Sequence, residues 1–132
     1  MVNKERPVNL KLTSIHFPMP AITSILHRIT GVVLFFFIPF LLWLTWYSLS
    51  SEQSFNNIKT FMSLFSFRFF LWVFISALFY HIVAGIRHLF MDIHIGETLK
   101  GGRYSAWFIF ILSAVVIILL GIYLLIGFNF TL

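Results

Sequence analysis

Three stretches of this chain are too long, too apolar and too poor in charge to sit anywhere but inside a membrane. The first runs from about Gly31 to Leu49 without a formal charge. At a helical rise of ~1.5 Å per residue, its roughly 19 residues nearly cover the ~30 Å hydrocarbon core. The second extends from about Phe67 to Phe90, with Arg68 and Trp72 near its start, and the third from Ala106 to Gly127. Hydrocarbon offers no partner to a bare peptide group, so uninterrupted runs of this length must close their hydrogen bonds as helices. The first helix is expected to begin near Ala21, just past Pro20, and to be kinked by Pro39. Trp43, Trp46 and Tyr47 near its end fit an aromatic belt at the interface. The fold expected is an all-α membrane protein with three transmembrane helices, at about 21–49, 67–90 and 105–128.

Little of the chain is left over. Residues 1–20 are polar and carry Pro7, Pro18 and Pro20, which disfavour a long helix. They are expected to lie extended on the membrane surface or against a partner, with residues 21–132 forming the membrane domain. No apolar core followed by a small-residue cleavage site precedes the first span, so a secretory signal is not expected. The stretch 50–66 holds Glu52, Gln53, Asn56, Asn57 and Lys59 and reads as a loop, with a short interfacial helix through Ile58 to Phe65. Asp92 to Arg103 forms the second loop, where Gly101-Gly102 should break the helical pattern.

Charge sets the orientation. Lys4, Arg6, Lys11, Arg28, Arg87, Lys100 and Arg103 fall on one side, and only Lys59 and Arg68 on the other. The excess of cations on the cytoplasmic side places the N-terminus in the cytoplasm and the C-terminus outside. A chain without a presequence suits a bacterial inner membrane, as a multi-pass protein in contact with lipid. The formal net charge of +5 forms no basic stripe on a soluble surface, which argues against nucleic-acid binding. Cysteine is absent, so the chain can hold no thiolate metal site or iron–sulfur cluster of its own.

Against this background His81-Ile-Val-Ala-Gly85-Ile-Arg87-His88-Leu-Phe-Met-Asp92 stands out. At ~3.6 residues per turn, His81, Gly85, His88 and Asp92 fall on or near one face. A charge at the centre of a span costs ~2.5 kcal/mol or more, so polar groups here need a reason. A neutral imidazole at His81 makes a good axial ligand for haem iron, and equally a hydrogen-bonded packing residue. Gly85 clears bulk for a flat ring or for a close helix. His81 and His88 lie ~10.5 Å apart along the axis, too far to share one iron, so a six-coordinate haem would need its second ligand from elsewhere. His88 then reads as a group at the macrocycle's edge or as an ordinary interfacial histidine.

Ser24, His27 and Arg28 present a hydroxyl, an imidazole and a guanidinium on one face of the first helix. Haem propionates or a quinone carbonyl suit that set, since Arg holds carboxylates in bidentate fashion. A snorkelling anchor is the plainer account of Arg28. Arg87 and Asp92, five apart, are not an ideal helical pair, and His16 and His94 receive no role.

Two blocks in order, Arg6-Pro7-Val8-Asn9-Leu10 with Ser24-Ile-Leu-His27-Arg28-Ile-Thr30-Gly31, and then His81 to Asp92, resemble the cytochrome b membrane-anchor subunit of succinate dehydrogenase (respiratory complex II). The resemblance covers essentially the whole chain. It implies a four-subunit enzyme of the electron-transport chain and tricarboxylic acid cycle. A flavoprotein subunit oxidises succinate, an iron–sulfur subunit carries the electrons, and two small anchors reduce ubiquinone. By that likeness His81 is an axial ligand of haem b shared with the second anchor, Ser24 and Arg28 line the quinone pocket, and His27, Arg28 and His88 stand near the haem propionates. No residue of this chain would touch succinate, and none is assigned as catalytic. One departure is visible: two residues after Asp92, where the family usually has a small residue, stands His94. Two other readings stay open, a structural anchor whose histidines serve packing and the anchor of a fumarate reductase running the reaction in reverse.

Overall fold

The structure is a computed structural model that describes residues 17–127, so the expectation of an extended segment over the first 16 residues lies outside the described residues. Four α-helices follow one another: α1 (Met19–Ser48), α2 (Glu52–Ser63), α3 (Phe65–Asp92) and α4 (Leu99–Gly121), the last continued by a π-helical turn, Ile122–Gly127. No strand occurs among the described residues. α1, α3 and α4 with its π-helical turn are long and apolar enough to cross a membrane. The fold is the all-helical, three-span architecture expected.

Each boundary has a local cause. α1 begins where Pro18 stays extended and Pro20 occupies the first turn, a position that needs no donor. It runs through Pro39 to Ser48. Its 30 residues amount to about 45 Å of helix, more than the hydrocarbon core requires, so its ends reach the interfaces. α2 starts at Glu52, six residues before the expected interfacial helix. The Ser51 hydroxyl accepts the Ser54 N–H at 3.0 Å, and Glu52 in the first turn complements the helix dipole. None of its residues is buried.

The second loop is shorter than the sequence suggests, because α4 runs straight through Gly101-Gly102. The Thr98 hydroxyl caps the helix by accepting the Gly101 N–H at 3.0 Å. A Cβ on Gly101 would stand 2.9 Å from that hydroxyl and 3.0 Å from the Gly96 carbonyl. Here glycine permits a tight loop-to-helix entry instead of ending a helix. The turn needs left-handed backbone at His94 (φ 63°) and Gly96 (φ 76°), and the Ile95 N–H closes it onto the Phe90 carbonyl at 2.9 Å.

The spanning helices pack through small side chains. Ala84 and Ala106 are fully buried, and Ala77, Gly102 and Ser113 nearly so. In lipid, where apolar contact carries little driving force, small residues let backbones approach and gain dispersion. Tyr80, Ala84 and Ile109 form the core, with Leu26 and Val83 against it. Trp72 ties α3 to α4 by donating its indole N–H to the Ile117 carbonyl at 2.9 Å, over the space left by Gly121. Large apolar residues such as Phe35 (70% exposed) and Leu42 (66%) face outward, as lipid and partner contacts require.

Candidate functional site

α1 and α3 run antiparallel, with Phe37 against Phe74 at one end and His27 against His88 towards the other. That register fixes where the polar residues meet. Tyr80 donates its hydroxyl to the Thr23 carbonyl at 3.2 Å, fastening the two helices one turn from His27. The His27 imidazole then enters between the two α3 histidines. It stacks on His81 with centroids 4.1 Å apart and planes 15° from parallel, and meets His88 at 5.1 Å and 55°. Three imidazoles thus form a short column along the α1–α3 seam.

Two glycines make the column possible. A Cβ on Gly85 of α3 would come 3.3 Å from His27 Nε2, and a Cβ on Gly31 of α1 would come 3.1 Å from His81 Cε1. Each ring occupies the room that the opposite helix leaves by carrying glycine. Gly85 thus clears room for the His27 side chain of the neighbouring helix.

His81 is held with a defined chemical identity. Its Nδ1 lies 3.1 Å from the His27 carbonyl oxygen and 3.2 Å from the Thr30 hydroxyl oxygen. A carbonyl only accepts, so the ring proton is assigned to Nδ1, and the lone pair is left on Nε2. The Nδ1–Cε1 edge is the one turned to α1, and Nε2 has no hydrogen-bond partner among the described residues. The half-buried ring therefore offers one free donor atom at the edge facing away from α1.

Ser24 is half-buried and Arg28 exposed, one turn apart on α1. Neither makes a hydrogen bond or ion pair among the described residues. His88 is half-buried at the membrane-edge end of the column, and Asp92 is exposed at the end of α3. No three metal-ligating side chains converge among the described residues.

Arg87 does not share the face of its neighbour His88. It is 6% exposed and turns away from His88 towards α4. There it donates Nε–H to the Ser105 hydroxyl at 2.9 Å and Nη2–H to the Gly102 carbonyl at 3.1 Å. One residue along a helix is ~100° of rotation, enough to send adjacent side chains to different neighbours. Thr30 is the polar residue given no role from sequence. Its position three residues after His27 was the available signal, but its target lay on another helix. Thr30 also borders a cavity of ≈ 340 Å³ between the three spanning helices, beside the buried hydroxyls of Ser76 and Ser113.

A sequence profile of the family described as "Succinate dehydrogenase/Fumarate reductase transmembrane subunit" matches residues 2–120. The chain belongs to this family. It is 40% identical to a succinate dehydrogenase cytochrome b556 subunit of Coxiella burnetii (strain RSA 493 / Nine Mile phase I) over 124 residues, covering 93% of this chain and 99% of that protein. A protein of the same description from Rickettsia bellii (strain RML369-C) is 38% identical over 90% of this chain and 93% of its own length. One from Paracoccus denitrificans is 30% identical over 76% and 78% respectively. The membrane-anchor assignment for complex II therefore stands, and with three apolar spans and bacterial relatives the chain is a multi-pass protein of the inner membrane.

Proposed function

We propose that this chain is one of two membrane anchors of a succinate:ubiquinone oxidoreductase, contributing half of a haem b site and part of a quinone site. The observation that carries the reading is the state of His81. Its Nδ1–H is committed to a backbone carbonyl, its Nε2 lone pair is free, and its ring is clamped by a second imidazole. Metal-ligating histidines commonly have their second nitrogen fixed in this way. The donor set fits haem b: the His81 imidazole, with its lone pair on Nε2, would supply one ligand to the iron, and a helix of the partner anchor would supply the other. Haem b, when bound, supplies a one-electron redox centre within the membrane.

The chain's own residues do the remaining work. His27 and His88, in contact with each other, and Arg28 one residue further along α1 would meet the propionates at the membrane edge, with the guanidinium neutralising carboxylate charge. Ser24 would hydrogen-bond a quinone oxygen, and Arg28 would stabilise the negative charge that develops there as electrons arrive from the partner iron–sulfur subunit. Reduction to quinol takes two electrons and two protons, so the site must lie near water. The positive-inside distribution puts this end of α1 and α3 on the cytoplasmic side, where flavoprotein and iron–sulfur subunits would dock. The family description embraces fumarate reductases, and the direction of turnover follows from the potential of the quinone and of the partners' cofactors.

In the purified complex, His81→Ala should abolish the b-type absorbance in a reduced-minus-oxidised spectrum, and retention of normal haem would overturn the ligand assignment. Arg28→Leu should depress quinone reduction while sparing succinate oxidation by an artificial acceptor. Equal loss of both activities in an intact complex would refute the quinone role.

A further inference from the structure

We infer that Thr30 is a positioning residue for the haem ligand, acting on His81 Nδ1 to set both the tautomer of the ring and its strength as a donor. The inference rests on the haem reading above and concerns a residue to which that reading gives no part. Three atoms form a closed triangle: Thr30 Oγ1 donates to the His27 carbonyl at 2.9 Å, and His81 Nδ1 stands 3.1 Å from that carbonyl and 3.2 Å from Thr30 Oγ1. With its own proton spent on the carbonyl, the threonine oxygen faces Nδ1 through its lone pairs. The Nδ1–H is therefore shared between two acceptors. An Nδ1 without its proton would face a carbonyl that can only repel it, so the Nε2–H tautomer, which has no lone pair at Nε2 to offer iron, is disfavoured.

The His27 carbonyl is an unusual acceptor for a side chain from another helix, because it lies inside α1. Gly31 makes it reachable, since no Cβ stands between the His81 ring and the α1 backbone. One turn of α1 thus supplies the carbonyl (His27), the hydroxyl (Thr30), the open space (Gly31) and the stacked face (His27) that together fix the ring. Acceptors on the distal nitrogen push electron density toward a bound metal and favour its more oxidised state. Removing the Thr30 hydroxyl should make His81 a weaker donor and raise the haem midpoint potential.

The test is a redox titration of the haem in the intact four-subunit complex carrying Thr30→Val, which keeps the shape and loses the hydroxyl, beside Thr30→Ser, which keeps the hydroxyl. The expected result is an upward shift of the midpoint potential, or loss of haem, in the valine variant, with near-native potential and haem content in the serine variant. An unchanged or lowered potential in the valine variant, or equal effects of valine and serine, would overturn the inference. Haem retained in His81→Ala would instead remove the reading on which it rests, so the two failures are distinguishable.

Discussion

Gly31→Ala isolates the seat of His81 from the stability of the helix that carries it. The added methyl would stand 3.1 Å from His81 Cε1 and 3.6 Å from Nδ1, so the ring must retreat by a few tenths of an ångström. It cannot do so freely: Nδ1 is bonded to His27 and Thr30, and the His27 ring lies on its face. Overpacking of this kind costs about 1–3 kcal/mol. In the haem-free chain His81 can yield by lengthening those two bonds and so shed part of that cost, whereas a ring that also ligated haem would have no such freedom. The penalty therefore falls on haem binding and corresponds to about a 5- to 150-fold loss of affinity.

The same substitution improves α1 as a helix, since alanine is favoured over glycine by about 0.8–1 kcal/mol in a helix interior. Haem content per complex should thus fall while the thermal stability of the haem-free complex holds or rises. Gly85→Ala provides the internal comparison. Its methyl would meet His27 Nε2 at 3.3 Å, a looser contact with a ring that carries no axial role, so its effect on haem content should be smaller. Gly31→Ala complexes with full haem at native potential, or a larger loss from Gly85→Ala, would refute the seat as described.

Two further outcomes follow from the second loop and the α3–α4 seam. His94→Gly should raise the thermal midpoint of the complex, because it relieves a non-glycine residue at φ 63° that costs roughly 1–2 kcal/mol, whereas loss of the exposed His94–Glu97 pair costs about 0.2–1 kcal/mol. His94→Ala loses the pair without relieving the backbone and should lower the midpoint, and a rise in both variants would refute the account. Arg87→Met should destabilise the complex by about 1–3 kcal/mol through loss of two charge-assisted bonds to α4, and Ser105→Ala by less; the reverse order in thermal or detergent unfolding would show that the Arg87 bonds do not hold α4.

The spans were legible because lipid leaves the backbone one option, and a run without charge over Gly31 to Leu49 or Ala106 to Gly127 admits little else. The finer features depended on what the sequence alone does not state. Gly101-Gly102 reads as a breaker by propensity, yet Thr98 caps a helix that includes both and Arg87 holds the Gly102 carbonyl from α3. α2 begins at Glu52 because a single serine caps it, a signal weaker than any apolar period. The left-handed backbone at His94 is a conformation that glycine adopts with less strain, and no apolar period announces it.

The histidine column marks the limit most clearly. Spacing on α3 alone separates His81 from His88 by two turns, and spacing on α1 alone joins His27 to Ser24 and Arg28. Neither period tells that His27 stands between the other two, since that depends on the register of α1 against α3, set by Tyr80 on the Thr23 carbonyl and by reciprocal glycines at Gly31 and Gly85. The same register puts the His27 carbonyl and the Thr30 hydroxyl on His81 Nδ1. An imidazole whose tautomer is fixed by its own chain while its donor atom faces away from that chain has the form the proposed half-site requires, and the other ligand of the proposed haem would then come from a surface that packs against α3. The many large apolar residues exposed along the spans supply the contact area such a partner needs.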